Sequence, residues 1–119
     1  MPAWNVEIYP YGMESNSVKK YFSSLPSNEN AQLLQLIKSL QELGPDLQGT
    51  DMDKLIEGSL RELRKGRHRI LYGREGNNFV LLVAFMKRTQ KTPKGMISLA
   101  QERFASYKEE KKKEKLRKR

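Results

Sequence analysis

Cysteine is missing from all 119 residues, and histidine and tryptophan occur once each. Without cysteine there is no disulfide framework, no thiolate metal site and no cysteine nucleophile, so a reducing compartment is the expected setting. One histidine alone cannot supply the imidazole ligands of a usual catalytic metal centre. Long apolar stretches are also lacking. The longest unbroken run is the eight residues 79–86, far short of the roughly 20 that a membrane helix needs. A basic start followed by an apolar stretch, the mark of a secretory leader, is not seen at the N-terminus, so no export and no membrane anchor are expected. No glycine-rich loop has phosphate-cradling spacing, and no serine sits in a nucleophile-elbow context, which argues against cofactor enzymes and α/β-hydrolase chemistry.

Positive charge is abundant. The net charge is +9, from 23 basic and 14 acidic residues. The last twelve positions, KEEKKKEKLRKR, hold eight basic and three acidic residues, so +5 lies there and +4 on the other 107 residues. Within this tail Glu109 with Lys113 and Glu114 with Lys118 have the spacing of helical ion pairs, which reads as a helix extension. A basic excess draws phosphate by counterion release, so nucleic acid or an acidic protein fits the charge equally well. At 119 residues the chain has room for one hydrophobic core, and with 37% hydrophobic residues it reads as one globular domain over residues 1–107, followed by the basic extension 108–119.

The pattern of apolar residues outlines the elements. Trp4, Val6 and Ile8 alternate with polar residues as in a short strand, closed by Pro10 and Gly12. Val18, Tyr21, Phe22 and Leu25 share a helical face that begins near residues 15–17 and stops at Pro26. A second helix follows, capped by Ser27 or Asn28, with a stripe of Leu33, Leu36, Ile37, Leu40 and Leu43 and a Gly44-Pro45 stop. The segment 51–66 is ambiguous, because Met52, Leu55, Ile56, Leu60 and Leu63 keep helical spacing while Gly58 weakens a helix by about 1 kcal/mol relative to alanine. His68 to Tyr72 and Phe79 to Phe85 read as strands joined by the turn residues 74–78. After Pro93 a last helix puts Met96, Leu99, Ala100, Phe104 and Tyr107 on one side.

Cations gather at two places on this outline. Arg64, Lys65, Arg67 and Arg69 surround one turn, and Lys87, Arg88, Lys91 and Lys94 follow the most apolar strand. If Arg64 and Arg69 occupy neighbouring strands and Lys87 and Arg88 end the next, all converge on a sheet face able to hold a phosphate backbone. Ordinary solvent-facing charge is the competing account.

These same residues carry a family resemblance. LRELR at 60–64, HRILY at 68–72 and FMKRTQKTP at 85–93 resemble the small toxins of the RelE/ParE superfamily, in particular its HigB-like, phage-derived branch. The resemblance spans nearly the whole chain and implies an α+β fold: a small twisted antiparallel sheet of about four strands, an N-terminal helical hairpin and a C-terminal helix. It makes 58–65 a strand against the helical spacing. Two departures stand out, since Arg88 replaces the usual second lysine and His68 the usual aromatic before Arg69.

The implied function is that of a cytoplasmic toxin of a type II toxin–antitoxin system, a metal-independent endoribonuclease that cuts messenger RNA on the ribosome. It would need no cofactor and be silenced, in an oligomeric complex, by a helix-turn-helix, HigA-like antitoxin. Arg64, Arg69, Lys87, Arg88 and Lys91 form the expected catalytic set, with Lys65, Arg67, His68 and Lys94 binding RNA. Guanidinium stays protonated and suits charge stabilisation rather than proton abstraction. Lys87 or Lys91 is then a candidate base, and His68 a candidate proton carrier. Glu62 is expected to set geometry, and neither Arg64 nor Arg69 is expected to anchor the core. Two other readings stay open: a ParE-like, non-enzymatic inhibitor of DNA gyrase, and a protein that binds RNA without cutting it.

Overall fold

The structure, a computed structural model, describes residues 4–10 and 17–117. Gly12 and Ser15, read above as boundary residues, lie outside this range. Strand β1 (Asn5–Ile8) leads to helices α1 (Ser17–Ser23) and α2 (Ser27–Leu43), then to β2 (Asp53–Glu57), β3 (Leu60–Lys65), β4 (His68–Glu75) and β5 (Asn78–Met86), and the last element is α3 (Lys94–Arg117). The five strands make one sheet in the order β1-β5-β4-β3-β2. Four of them form the antiparallel meander that the resemblance implies. The difference is β1, which adds a fifth strand parallel to β5, with Asn5 opposite Asn78 and Ile8 opposite Leu81.

Residues 51–66 fold as strands, the mostly exposed edge strand β2 and then β3, whose Leu60 and Leu63 are buried against the two opposite layers that cover the sheet. The hairpin packs Val18, Phe22, Leu33, Leu36 and Leu40 against Leu63, Ile70, Tyr72, Phe79 and Leu81 on one face. On the other face α3 packs Ala100, Phe104 and Tyr107 against Leu60, Leu71, Val80, Leu82 and Phe85. Residues pointing both ways are therefore apolar, which erases the period of two along central strands. Gly58, with φ +58°, makes the β2–β3 turn in a left-handed conformation that glycine adopts without a steric penalty.

Local chemistry sets the remaining boundaries. Pro26 occupies the α2 N-cap position, and neither Ser27 nor Asn28 caps the helix as expected, since both already belong to it. Gly44 ends α2 at φ +53° and donates its N–H to the Leu40 carbonyl. A Cβ there would fall 2.3 Å from the Trp4 indole, so two independent constraints demand glycine. Leu43, read as part of the apolar stripe, is exposed. Between β4 and β5 the register slips by one residue, so Leu71 faces Val83 and Tyr72 faces Leu81. The bulge lets Leu82 and Val83 both face α3. Gly73 admits the Phe104 ring, which a Cβ would meet at 2.6 Å. α3 continues through the basic extension to Arg117, where Glu110–Lys113 and Lys111–Glu114 pair at 3.6 Å.

Candidate functional site

Arg64 and Arg69 are direct cross-strand partners on β3 and β4. Alternation along β3 places Glu62 on the same face, and its Oε1 lies 3.6 Å from Nε of both arginines. The other carboxylate oxygen accepts a 2.7 Å hydrogen bond from the Thr92 hydroxyl. One buried carboxylate thus serves two guanidinium groups and a loop hydroxyl, and this small cluster keeps an uncompensated positive charge.

The two arginines differ in freedom. Arg64 keeps 31% of its side chain exposed, against 8% for Arg69. Arg69 Nη1 donates to the carbonyls of Gly66 at 2.7 Å and His68 at 2.9 Å. Burial, and then the neighbouring Arg64 charge, push the Arg69 pKa down from its ordinary value, which costs little protonation because guanidinium titrates so far above neutrality. The expectation that Arg69 leaves the core unsupported is corrected here: it braces the β3–β4 turn.

The loop after β5 carries the second group of cations. Lys87 extends the ladder, its N–H donating to the Arg67 carbonyl at 2.7 Å. Thr89 then donates to the Lys91 carbonyl at 2.8 Å, which folds the loop back, and Thr92 fastens it to Glu62. Two open grooves flank this loop. Arg67, Lys87 and Arg88 line one, and Lys54, Lys91 and Lys94 line the other, with Thr89 and Gln90 shared by both. The predicted cations Arg64, Arg67, Arg69, Lys87, Arg88, Lys91 and Lys94 therefore surround a single loop.

Lys65 and His68 do not join them. They oppose each other in the ladder, one step out of phase with the Arg64–Arg69 pair, so both belong to the hairpin side of the sheet. Lys65 borders a cleft with Gln32, Gln35 and Ser39 of α2. His68 is buried, with Nδ1 2.6 Å from the Tyr21 hydroxyl and Nε2 2.9 Å from Glu29 Oε1. Direct RNA contact by His68 is excluded by that burial. The signal was in the sequence: strand parity separates 64 and 69 from 65 and 68 across a two-residue turn.

Sequence reasoning gave Thr92 no role beyond the resemblance and overlooked Lys54 and Glu29, because nothing local marks a residue that acts across the fold. Among the described residues, no group of three His, Asp or Glu side chains is placed to hold a metal ion, and no helix is long and apolar enough to cross a membrane.

Comparison with known proteins adds three findings. Residues 20–105 match the family described as phage-derived protein, Gp49-like. The "Probable endoribonuclease HigB1" of Mycobacterium tuberculosis, found in two strains, is 37% identical over 94 residues, which cover 76% of this chain and 73% of the relative. The crystal structure of the toxin–antitoxin complex RelBE2 from Mycobacterium tuberculosis contains a similar fold, with a TM-score of 0.52 at 14% identity, over 71% of this chain and 99% of that one.

Proposed function

The chain belongs to the Gp49-like family of phage-derived proteins, and from that premise we propose that it is the toxin of a type II toxin–antitoxin pair, an endoribonuclease that silences translation by cutting messenger RNA on the ribosome without a metal. The observation that carries this reading is the Arg64–Arg69 pair, held across two strands by one buried carboxylate beneath a cationic loop. The likeness to a relative named as an endoribonuclease supports RNA as the substrate. The fold shared with a toxin–antitoxin complex supports an antitoxin as partner. A helix-turn-helix, HigA-like antitoxin in an oligomeric complex, and a cytoplasmic site of action, follow from the same reading.

Metal-free cleavage needs the ribose 2′-hydroxyl to lose its proton while its oxygen attacks phosphorus, and the departing 5′-oxygen to gain one. Phosphorus then carries a 2′,3′-cyclic diester, and the downstream fragment ends in a 5′-hydroxyl. Between these states charge builds on the non-bridging oxygens, where preorganised donors act most strongly. Arg64 and Arg69 supply such donors at a fixed separation. Glu62 is assigned to positioning, since Thr92 hydrogen-bonds one of its oxygens and both guanidinium groups stand 3.6 Å from the other. Lys91, beside Thr92 in the loop, and Lys87 at the strand end are the assigned candidates for proton transfer, and Arg67, Arg88 and Lys94 hold the backbone on either side.

Single-turnover cleavage of messenger RNA on saturated ribosomes tests this assignment. Lys87→Ala and Lys91→Ala should slow cleavage far more than they weaken ribosome binding. Wild-type rates at saturation would reduce these lysines to binding groups. Induction that leaves messenger RNA intact but damages DNA would replace the nuclease with a gyrase inhibitor.

A further inference from the structure

Beside the cationic loop lies a groove of different character. β1 runs along only the first half of β5, and its last described backbone contact is the Tyr9 N–H with the Leu81 carbonyl. Past that point α1 and α3 stand on either side of the β5 edge. The recess between them, about 410 Å³, is lined by Tyr21, Phe85, Met86, Arg88, Pro93 and Met96. It therefore has two aromatic rings, apolar walls and one cation, and that cation also lines the Arg67–Lys87 groove.

Tyr21 is held in an unusual way. Its hydroxyl is tied at 2.6 Å to Nδ1 of buried His68, whose Nε2 is tied at 2.9 Å to Glu29. With the Glu29 carboxylate accepting a hydrogen bond from Nε2–H, Nδ1 of the neutral ring is the acceptor and the phenol the donor. Burial and the Glu29 charge raise the phenol's pKa, so it keeps its proton at neutral pH. The polar end of Tyr21 is thus satisfied inside the protein, and the ring is fixed where it meets the groove.

We propose that this recess receives one unstacked nucleobase of the messenger RNA, with the Tyr21 ring as its stacking platform and Arg88 on the adjoining phosphate. Resting on the nuclease reading above, the proposal makes the recess a determinant of where the RNA is cut. Three features select a base as occupant. Aromatic rings stack any base and favour single-stranded RNA, whose bases splay out. The wall cation is continuous with the phosphate-binding groove. The Glu29–His68 tether removes the rotational freedom that stacking would otherwise have to overcome.

The test uses ribosomes programmed with messenger RNA that carries 2-aminopurine near the cut site and a 2′-deoxy block against cleavage, together with cleavage mapping on unblocked RNA. Wild-type toxin should change the 2-aminopurine fluorescence, and Tyr21→Ala should abolish the change. Single-turnover cleavage should fall by about 5- to 150-fold in Tyr21→Ala, the loss expected for one stacked base, with an altered distribution of cut sites. Tyr21→Phe should recover most of that loss. Met86→Glu, at a position 41% exposed that borders both this recess and the Arg67–Lys87 groove, should repel the RNA without removing any core contact. An altered distribution of cut sites beyond general slowing in that variant keeps the proposal testable if Tyr21→Ala fails to fold.

Wild-type protein that cuts no ribosome-bound RNA would overturn the nuclease reading itself. Wild-type cleavage with unchanged rate and pattern in Tyr21→Ala and Met86→Glu would overturn the base pocket alone. Equal loss in Tyr21→Phe and Tyr21→Ala would also overturn it, by assigning the effect to the hydroxyl. Loss of antitoxin binding with normal cleavage would make the recess a protein contact and refute the proposal.

Discussion

Two clusters of charge lie on opposite faces of the same strands, and they are built differently. Beneath the hairpin, Asp53 Oδ2 accepts from Arg61 Nε at 2.8 Å and Nη2 at 2.6 Å, while Oδ1 accepts from the Tyr72 hydroxyl at 2.6 Å. One carboxylate meets one guanidinium, and a buried phenol fills the remaining oxygen. The Tyr72 pKa is pushed up by burial first and by the Asp53 hydrogen bond second, so that phenol stays a donor. On the α3 face, Glu62 faces two guanidinium groups at 3.6 Å, beyond hydrogen-bond range, and one of them reaches solvent. The first cluster is closed and ties β2, β3 and β4 together. The second is left short of negative charge, the condition in which an incoming phosphate replaces a missing partner rather than competing with a present one.

The largest expected effect comes from breaking the closed cluster. Asp53→Ala leaves the Arg61 donors and the Tyr72 hydroxyl facing a void and should cost about 3–5 kcal/mol, as does removal of one partner from a buried pair. Urea denaturation measures it. Cleavage per folded molecule should stay near wild type, because the cluster faces away from the loop. A variant as stable as wild type would dissolve the contrast between the two faces.

Opening the other cluster should do the reverse. Arg64→Ala is expected to slow cleavage on saturated ribosomes by about 10²–10³-fold, the cost of one preorganised donor to a developing oxyanion, while stability shifts by no more than about 0.5 kcal/mol. Arg69→Ala should lose activity and also about 1–3 kcal/mol of stability, since the Gly66 and His68 carbonyls lose their donor in a buried setting. Circular dichroism melts beside kinetics separate the two. Equal stability loss in both variants would mean that Arg64 is structural too.

What could be read from the sequence follows from how far each signal reaches. β5 was plain because eight apolar residues bounded by turn chemistry have few other uses, and the α2 stop was plain because Gly44-Pro45 acts locally. The strand character of 51–66 was hidden from periodicity because burial on two faces mimics helical spacing in β3, where Leu60 and Leu63 are both buried but against opposite layers, and because the edge strand β2 buries little. At the site, Arg64 and Arg69 were found by charge and confirmed as neighbours by register. His68 was misplaced because its partners, Tyr21 and Glu29, lie 47 and 39 residues away, and only the packed hairpin brings them together. Tyr21 itself looked like an ordinary core residue, since helical periodicity cannot tell a ring that fills a core from one that lines a groove.

The smallest expected effect belongs to the basic end of α3. Residues 108–117 continue the helix, held near the body by Lys111, whose ammonium lies 3.9 Å from Glu7 and 5.4 Å from the Tyr107 ring centroid, and by Lys108 over Phe104 at 4.6 Å. Glu7 also accepts the Tyr107 hydroxyl, so the point where the extension leaves the sheet survives a cut after residue 107. Deleting 108–119 should therefore remove only partly exposed ion pairs and two cation–π contacts, each contributing about 0–1 kcal/mol. Its effect on ribosome binding should appear at low salt and fade as salt rises, because sequence-independent phosphate attraction is counterion release. Binding constants over a salt series, wild type beside the truncation, give the two slopes. A shallower slope with converging affinities at high salt fits a diffuse attraction added to a complete site. A constant loss at every salt concentration, with the fold intact, would instead make the extension a specific docking element and would end its contrast with the Arg64–Arg69 site.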